Sequence, residues 1–389
     1  MDVRKIRQMI PIVKSLVYLD NAGTGPPTNF VTREMRRCVR EWSTKGEYWE
    51  KWFLEIVEAR KLFGKLIGVD GDEVACVPNV TVGLVAVACS IDHKPGSNVV
   101  IGGNNFPTNV YLWHLQRKKR IVKEVRLLHP KNGIIPLEEY AKAIDDNTSL
   151  VSVDYVAWLN GCREKIREIA EIAHKHGALM IVDAFHALGV MPVDARRDGI
   201  DVLTSGVYKW LMGPHGAAFV YVKREMLDQM QPSFTGWHGI KGNIIERFLA
   251  GTDPFIDPFD LEDAIPAETA SRFEWGTWPP VSIVGAKEAL SLAVKDDMKD
   301  RYGRISSLTT RLIDGLQKSG KRILSPLHED RRSGIVSYVD EDQSNTVARL
   351  KKRRIIVSGR VKMLRVSPHF YNTKEEIDHL LDVIGKFHK

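Results

Sequence analysis

The chain has 389 residues, 43% of them hydrophobic and 27% charged. This composition excludes disorder and leaves room for two domains, or for one large domain with a smaller one attached. The formal net charge of +7 is modest at this length, and its visible sources are QRKKR at 116–120 and KKRR at 351–354; the first run reads as a basic helix C-terminus, so no nucleic-acid partner is expected.

In chain order, the segment TVGLVAVA from Thr81 is apolar and helix-like. From about residue 62 to 223 helices alternate with short apolar strands, the first at 99–101, closed by Gly102 and Gly103, then 121–128 and 149–157. Over 164–176 (EKIREIAEIAHKH) Ile166, Ile169, Ala170, Ala173 and His176 recur at helical spacing, and Gly177 stops the helix. Residues 178–182 form a continuous apolar run, as expected of a strand buried on both faces. Further strands fall at 202–204 and 217–222. Strands alternating with helices predict an α/β fold, a mainly parallel sheet covered on both sides. The segment 236–270, rich in Gly, Pro and Asp, breaks the rhythm and reads as a linker or a long loop near the active site. A helix follows over 283–293, and beyond it helix and strand alternate again in a smaller α+β domain.

Four scattered cysteines (Cys38, Cys76, Cys89, Cys162) form no CxxC pair and no metal-ligand spacing, which suits a reduced, intracellular protein with no metal. The opening MDVRKIRQMIPIVKS does not read as a signal peptide, and the longest uncharged apolar run, 82–91, is too short to span a bilayer. A soluble, cytoplasmic protein is therefore expected.

In an open parallel sheet, ligands sit beyond the carboxyl ends of the strands. Three polar clusters fall at such ends: Asn79 and Thr81 after EVACV, Asp183 and His186 in VDAFHALG, and Ser205, Tyr208 and Lys209 in SGVYKWLMGPHG. Taken singly, each has an innocent reading: a strand-end Asp is usually a helix cap, a lone Lys a solvated charge, and Asn-Val-Thr an ordinary N-cap. Together they suit one task. A pyridine ring needs an acid beside its nitrogen, its aldehyde needs an activated lysine, and its phosphate needs a helix N-terminus.

These motifs, with YLDNAG at 18–23 and SPHFYNT at 367–373, resemble the class V aminotransferase family of fold-type-I enzymes that use pyridoxal 5'-phosphate (PLP). That family includes cysteine desulfurases, isopenicillin N epimerase and, more distantly, kynureninase. The resemblance implies a large PLP-binding domain over 16–270 and a small domain over 271–389 joined by 1–15. It implies that Lys209 holds PLP as a Schiff base, that Asp183 pairs with the pyridine nitrogen, and that His186 bonds the ring's phenolic oxygen. Phe106, in NNFPTNVY, matches the position that stacks on the ring. Val80 and Thr81 would serve the phosphate, and Tyr208 would reach it too, with Ser205 near the place of a serine often found three positions before the lysine. Asn160, in AWLNG, falls on the loop that faces the cofactor oxygen. Gly276 and Thr277, in RFEWGTW, match a segment that reaches the phosphate from a neighbouring subunit, which implies a homodimer. Arg365, in MLRVSPHFYNT, matches the arginine that grips the substrate carboxylate, a job for which a planar fork of donors is suited.

The departures carry information as well. Desulfurases of this family attack substrate sulfur with a cysteine on a loop shortly before the arginine motif, whereas here the region reads RRIIVSGRVKMLRVSP. A persulfide-forming desulfurase is therefore not expected. The expected reaction is at the Cα of a free L-amino acid, aminotransferase-type first, with a carbon–sulfur lyase or an epimerase-like activity as the alternative. The substrate side-chain pocket is expected in 236–270, with Trp237 and His238. A nicotinamide oxidoreductase would need a glycine-rich turn before a helix, but Gly23-Thr-Gly25 runs into Pro26-Pro27. A non-catalytic descendant would be expected to have lost the lysine, the aspartate or the arginine, and all three are present.

Overall fold

The computed structural model describes residues 2–46, 48–252 and 265–387. In chain order its strands are β1 Val17–Tyr18, β2 Val74–Val77, β3 Asn98–Gly102, β4 Glu124–Leu128, β5 Thr148–Asp154 and β6 Leu179–Asp183. They continue with β7 Val202–Gly206, β8 Ala218–Val222, β9 Val336–Val339, β10 Ile355–Ile356, β11 Ser358–Arg360 and β12 Met363–Val366.

Seven of these make one sheet in the order β2-β8-β7-β6-β5-β3-β4. Only β8 runs antiparallel to its neighbours, so the other six strands end at one edge. The central strands are apolar because both faces are covered: Met180, Ile181 and Val182 of β6 are wholly buried. The helix Ile166–Lys175 covers part of one face with Ile166, Ile169, Ala170 and Ala173, and Gly177 beyond it takes the left-handed backbone of a helix stop. The basic run at 116–120 closes the helix Pro107–Lys118, with Arg117 and Lys118 in its last turn.

Two strand limits differ from the sequence reading. β4 starts at Glu124 rather than 121, because Arg120 leaves the helix with a positive φ of 60° and the chain must turn before pairing. β5 stops at Asp154, three residues before the expected end.

The smaller sheet is antiparallel, β11-β12-β9, while β1 pairs in parallel with β10. Leu308, Leu312, Tyr338, Leu350 and Leu380 fill its core, closed by the helices Met298–Lys318 and Lys374–Gly385. The two end motifs meet here: Ser367 N donates to Leu19 O at 2.7 Å, and Tyr371 OH donates to Asn21 Oδ1 at 2.7 Å. Ile283, Ala286 and Leu290 of the helix Pro280–Ala293 are buried in the same cluster as Val182 and Phe219 of the large sheet, and Ile305, Ile335, Phe370 and Tyr371 join that cluster too. Among the described residues no helix is long and apolar enough to cross a membrane.

Candidate functional site

Five parallel strands deliver polar residues from their carboxyl ends into one cavity of about 120 Å³. Asn79, Val80 and Thr81 arrive from β2, Phe106 from β3, Asp154 from β5, Asp183 and His186 from β6, and Tyr208 and Lys209 from β7.

Lys209 is buried, with Nζ 3.0 Å from His186 Nε2 and 4.1 Å from the centre of the Phe185 ring. Burial lowers its pKa to about 8; Arg365 and Arg360 push the same way, against Asp183 and Asp154. His186 is held well below its ordinary value by burial and then by Lys209, so its imidazole is neutral. Trp210 Nε1 donates to its Nδ1 at 3.4 Å, which puts the ring proton on Nε2, where it can bond Nζ once the lysine is neutral. The backbone here tolerates only glycine on the facing loop: Gly25 N donates to Tyr208 O at 2.8 Å, and a Cβ on Gly25 would lie 1.8 Å from Lys209 O.

Asp183 accepts from Phe185 N at 2.9 Å, and burial raises its pKa to about 6 against the pull of that bond and of Lys209. Beside it in register is Asp154, which sequence reading missed. Asp154 accepts from Phe106 N at 2.6 Å and from Asn109 Nδ2 at 3.3 Å, so it fixes the start of the helix that carries Phe106. Burial, then Asp183, lifts its proton affinity well above the usual carboxylate range. The Phe106 ring lies 5.7 Å from Lys209 Nζ and meets Trp158 edge-on.

Asn79 caps the helix Val80–Ala88, its side chain accepting from Val82 N at 2.9 Å. The N–H groups of Val80 and Thr81 precede any carbonyl the helix offers and point outward at the cavity's rim, where an anion is favoured. Thr108, also unforeseen, lies across from Thr81, the hydroxyls 3.4 Å apart. Tyr208 stacks on His215 with ring centres 4.0 Å apart.

Arg365, on β12, is buried, and its charge lowers the proton affinity of Lys209 and His186. Its Nε donates to Ser358 Oγ, Nη1 to Trp158 O at 2.9 Å and Nη2 to Asp20 Oδ1 at 3.4 Å. Of five N–H groups, three are committed, leaving one on each terminal nitrogen. Burial, then Arg360, lowers its pKa to about 10.

Several expected residues are not brought in. Asn160 spends its amide on Gly133 O at 2.8 Å and accepts from Cys162 N, so it braces a loop away from the cavity. Ser205 is paired within β7 and donates to Gly206 O. Gly276 and Thr277 are exposed and do not line this cavity; Thr277 borders Trp49 and Trp52 instead. Trp237 and His238 pack in an aromatic cluster with Trp49 and Trp278, not at the site. The 253–264 part of the expected side-chain pocket lies outside the described residues.

The donor set fits PLP on its own terms. A buried amine of lowered basicity suits an aldehyde, a strand-end carboxyl suits a ring nitrogen, aromatic rings suit a flat heterocycle, and free N–H groups suit a phosphate. Among the described residues no cluster of side chains could hold a metal ion. The chain is 30% identical over 379 residues, 97% of its length and 96% of the relative's, to an uncharacterized aminotransferase, YcbU, of Bacillus subtilis (strain 168). It is 26% identical over 419 residues, 98% of this chain and 96% of the other, to a probable cysteine desulfurase of Methanothermobacter thermautotrophicus. In fold it is similar to the apo structure of a cysteine desulfurase from Thermococcus onnurineus NA1, with a TM-score of 0.87 and 21% identity over 99% of this chain and 97% of that one. With the model of aminotransferase class V matching residues 17–380, the chain belongs to the class V aminotransferase family of PLP enzymes, in the fold-type-I architecture.

Proposed function

We propose that this protein acts at the Cα of a free L-amino acid by aminotransferase-type chemistry, with PLP joined covalently to Lys209 Nζ. The observation that carries this reading is the lysine itself. Its amine has a pKa near 8, lies against His186, shares one cavity with Asp183 and feels the charge of Arg365 from the second sheet.

When bound, PLP supplies an electron sink for the pair left when a bond at Cα breaks. The chain's residues do the rest. Asp183 holds a proton at the ring nitrogen, and His186 directs its Nε2–H toward the place of the ring oxygen. Phe106 covers one face of the ring and excludes water from it. Val80, Thr81 and Tyr208 receive the phosphate. Arg365 offers its two uncommitted N–H groups to the α-carboxylate and so sets which bond at Cα faces the ring. Lys209 Nζ would also move the Cα proton, a task its lowered pKa suits. Gly276 and Thr277, exposed here, would complete the phosphate site of a partner subunit in a homodimer.

Desulfurases are among the relatives, yet we read this chain as lacking a persulfide-forming step. β11 and β12 are joined by two residues only, Val361 and Lys362, with Arg360 facing Met363, so no loop is available there to carry a nucleophile. Of the four cysteines, Cys38, Cys76 and Cys162 are buried with their thiol pKa values pushed up by burial. The same observation supports a second reading, a carbon–sulfur lyase that works without a protein thiol.

The test is to incubate the purified holoenzyme with a panel of amino acids that includes cysteine and cystine, and to assay keto acid, ammonia, sulfide and alanine. Keto acid formed in a single turnover without ammonia supports transamination. Pyruvate, ammonia and sulfide together support the lyase. Alanine in step with a protein-bound persulfide would overturn both.

A further inference from the structure

We propose that Arg360 selects the substrate's side chain, so that the preferred amino acid carries a second, anionic group. This rests on the reading of Arg365 as the partner of the α-carboxylate.

In the hairpin of β11 and β12, Ser358 lies opposite Arg365, and Arg360 opposite Met363. Residues two apart on a strand leave from the same face. Arg360 therefore projects on the side where Ser358 Oγ donates to Asp20 Oδ1 and accepts from Arg365 Nε. It is the last strand residue before the turn, where Val361 is 83% exposed, so it stands at the mouth of the site rather than in its floor.

Arg360 is half-buried, and among the described residues the one hydrogen bond of its guanidinium is to the carbonyl of its own neighbour, Gly359. Among the described residues no carboxylate pairs with it, although Asp20 pairs with Arg365. Its charge reaches the site: it lowers the proton affinity of Arg365, Lys209 and His186. A guanidinium placed beside two other cations, without a counter-charge, works against their protonation unless an anion occupies the space between. The α-carboxylate takes up Arg365, which is already fixed by three acceptors. The remaining fork can then take a carboxylate or sulfonate on the substrate's side chain.

The test compares isosteric pairs on the holoenzyme: L-glutamate with L-glutamine, L-aspartate with L-asparagine, and L-cysteate as the sulfonate. Wild type is expected to favour the charged member of at least one pair by tenfold or more in kcat/KM, and which pair shows it reports the length of the side chain. In Arg360→Gln that ratio should fall by tenfold or more, with Arg360→Lys between the two. Binding gives an independent readout that needs no turnover. Glutarate and pentanoate are titrated against the cofactor's absorbance, and the ratio of their Kd values should shift in the same direction. Far-UV circular dichroism checks that both variants fold. Preference for the uncharged member of both pairs, or a ratio that Arg360→Gln leaves in place, overturns the proposal. Failure of every amino acid to perturb the cofactor would be a different result: it would reject the amino-acid enzyme itself, and this inference with it.

Discussion

Replacing Lys209 with Met tests the electrostatics of the site apart from its catalysis. Folding lowers the lysine's pKa from 10.5 to about 8, a shift of about 2.5 units; at 1.36 kcal/mol per unit this is ~3 kcal/mol. The sign follows from proton counting. Between pH 8 and 10.5 the unfolded chain binds more protons at this residue than the folded one, so wild-type stability rises with pH across that window. Below pH 8 the full cost of burying the amine is present, and above 10.5 it is gone. Methionine has similar bulk and no charge, so the apo variant should be more stable than apo wild type at pH 7 by up to ~3 kcal/mol, and the gap should close as pH approaches 10.5. Thermal or urea unfolding of both apoproteins from pH 7 to 10.5 measures this. In parallel, covalent capture of PLP by wild type, fixed with borohydride and read by mass spectrometry, should rise through pH 8 and be absent in the variant. A stability gap that does not change with pH, or reduced PLP on a different lysine, would refute the reasoning.

Asp183→Asn should keep the covalent link to PLP but lose turnover, since an amide cannot match the charge-assisted pair; ~2–5 kcal/mol corresponds to roughly tens to thousands of fold, and near wild-type kcat would reject the role. Arg365→Lys should raise KM for amino acids by roughly ten- to a hundredfold, the worth of one charge-assisted bond, while PLP affinity holds. Equal damage to PLP binding would make Arg365 structural. Asp154→Ala leaves the N–H of Phe106 and the amide of Asn109 without their acceptor, so the apoprotein should lose ~1–3 kcal/mol; an unchanged Tm would show that the helix start is fixed by other contacts.

What the sequence made legible follows from where its signals are local. Asp183, Lys209 and the Asn79 cap each stand at the end of a strand or within three residues of it, and a parallel sheet carries such residues to one edge whatever else the chain does. Asp154 obeys the same rule and was hidden by a strand end placed three residues late: 149–157 reads as unbroken because Tyr155, Val156 and Ala157 are also buried, although they have left the sheet. Asn160 illustrates the converse. Its position in the loop is right, but the direction of its side chain is set by Gly133 and Cys162, contacts that no spacing reveals. Arg360 was invisible because its meaning depends on which face of a three-residue strand it leaves, and that is fixed only by the register with Arg365.

The titrating groups of the site share one feature that connects the apoprotein to its cofactor. Burial moves each of them toward neutrality: Lys209 and Arg365 lose proton affinity, Asp183 and Asp154 gain it. A cavity that discourages its own charges is costly to the empty fold and receptive to a ligand that brings the complements. A ring nitrogen at Asp183 and a carboxylate at Arg365 would each stabilise a charge that burial disfavours, and a phosphate would find the free N–H groups of Val80 and Thr81. The second sheet is what makes this possible. Asp20 and Arg365 are over three hundred residues apart in sequence and meet only because residues beside β1 are bridged to those following β12, Asp20 to Ser367. On the proposed reading, the substrate's carboxylate would meet a residue held where the chain's two ends join, while the cofactor would sit at the edge of the large sheet. A variant that loosens the small sheet should weaken substrate binding before it weakens PLP binding.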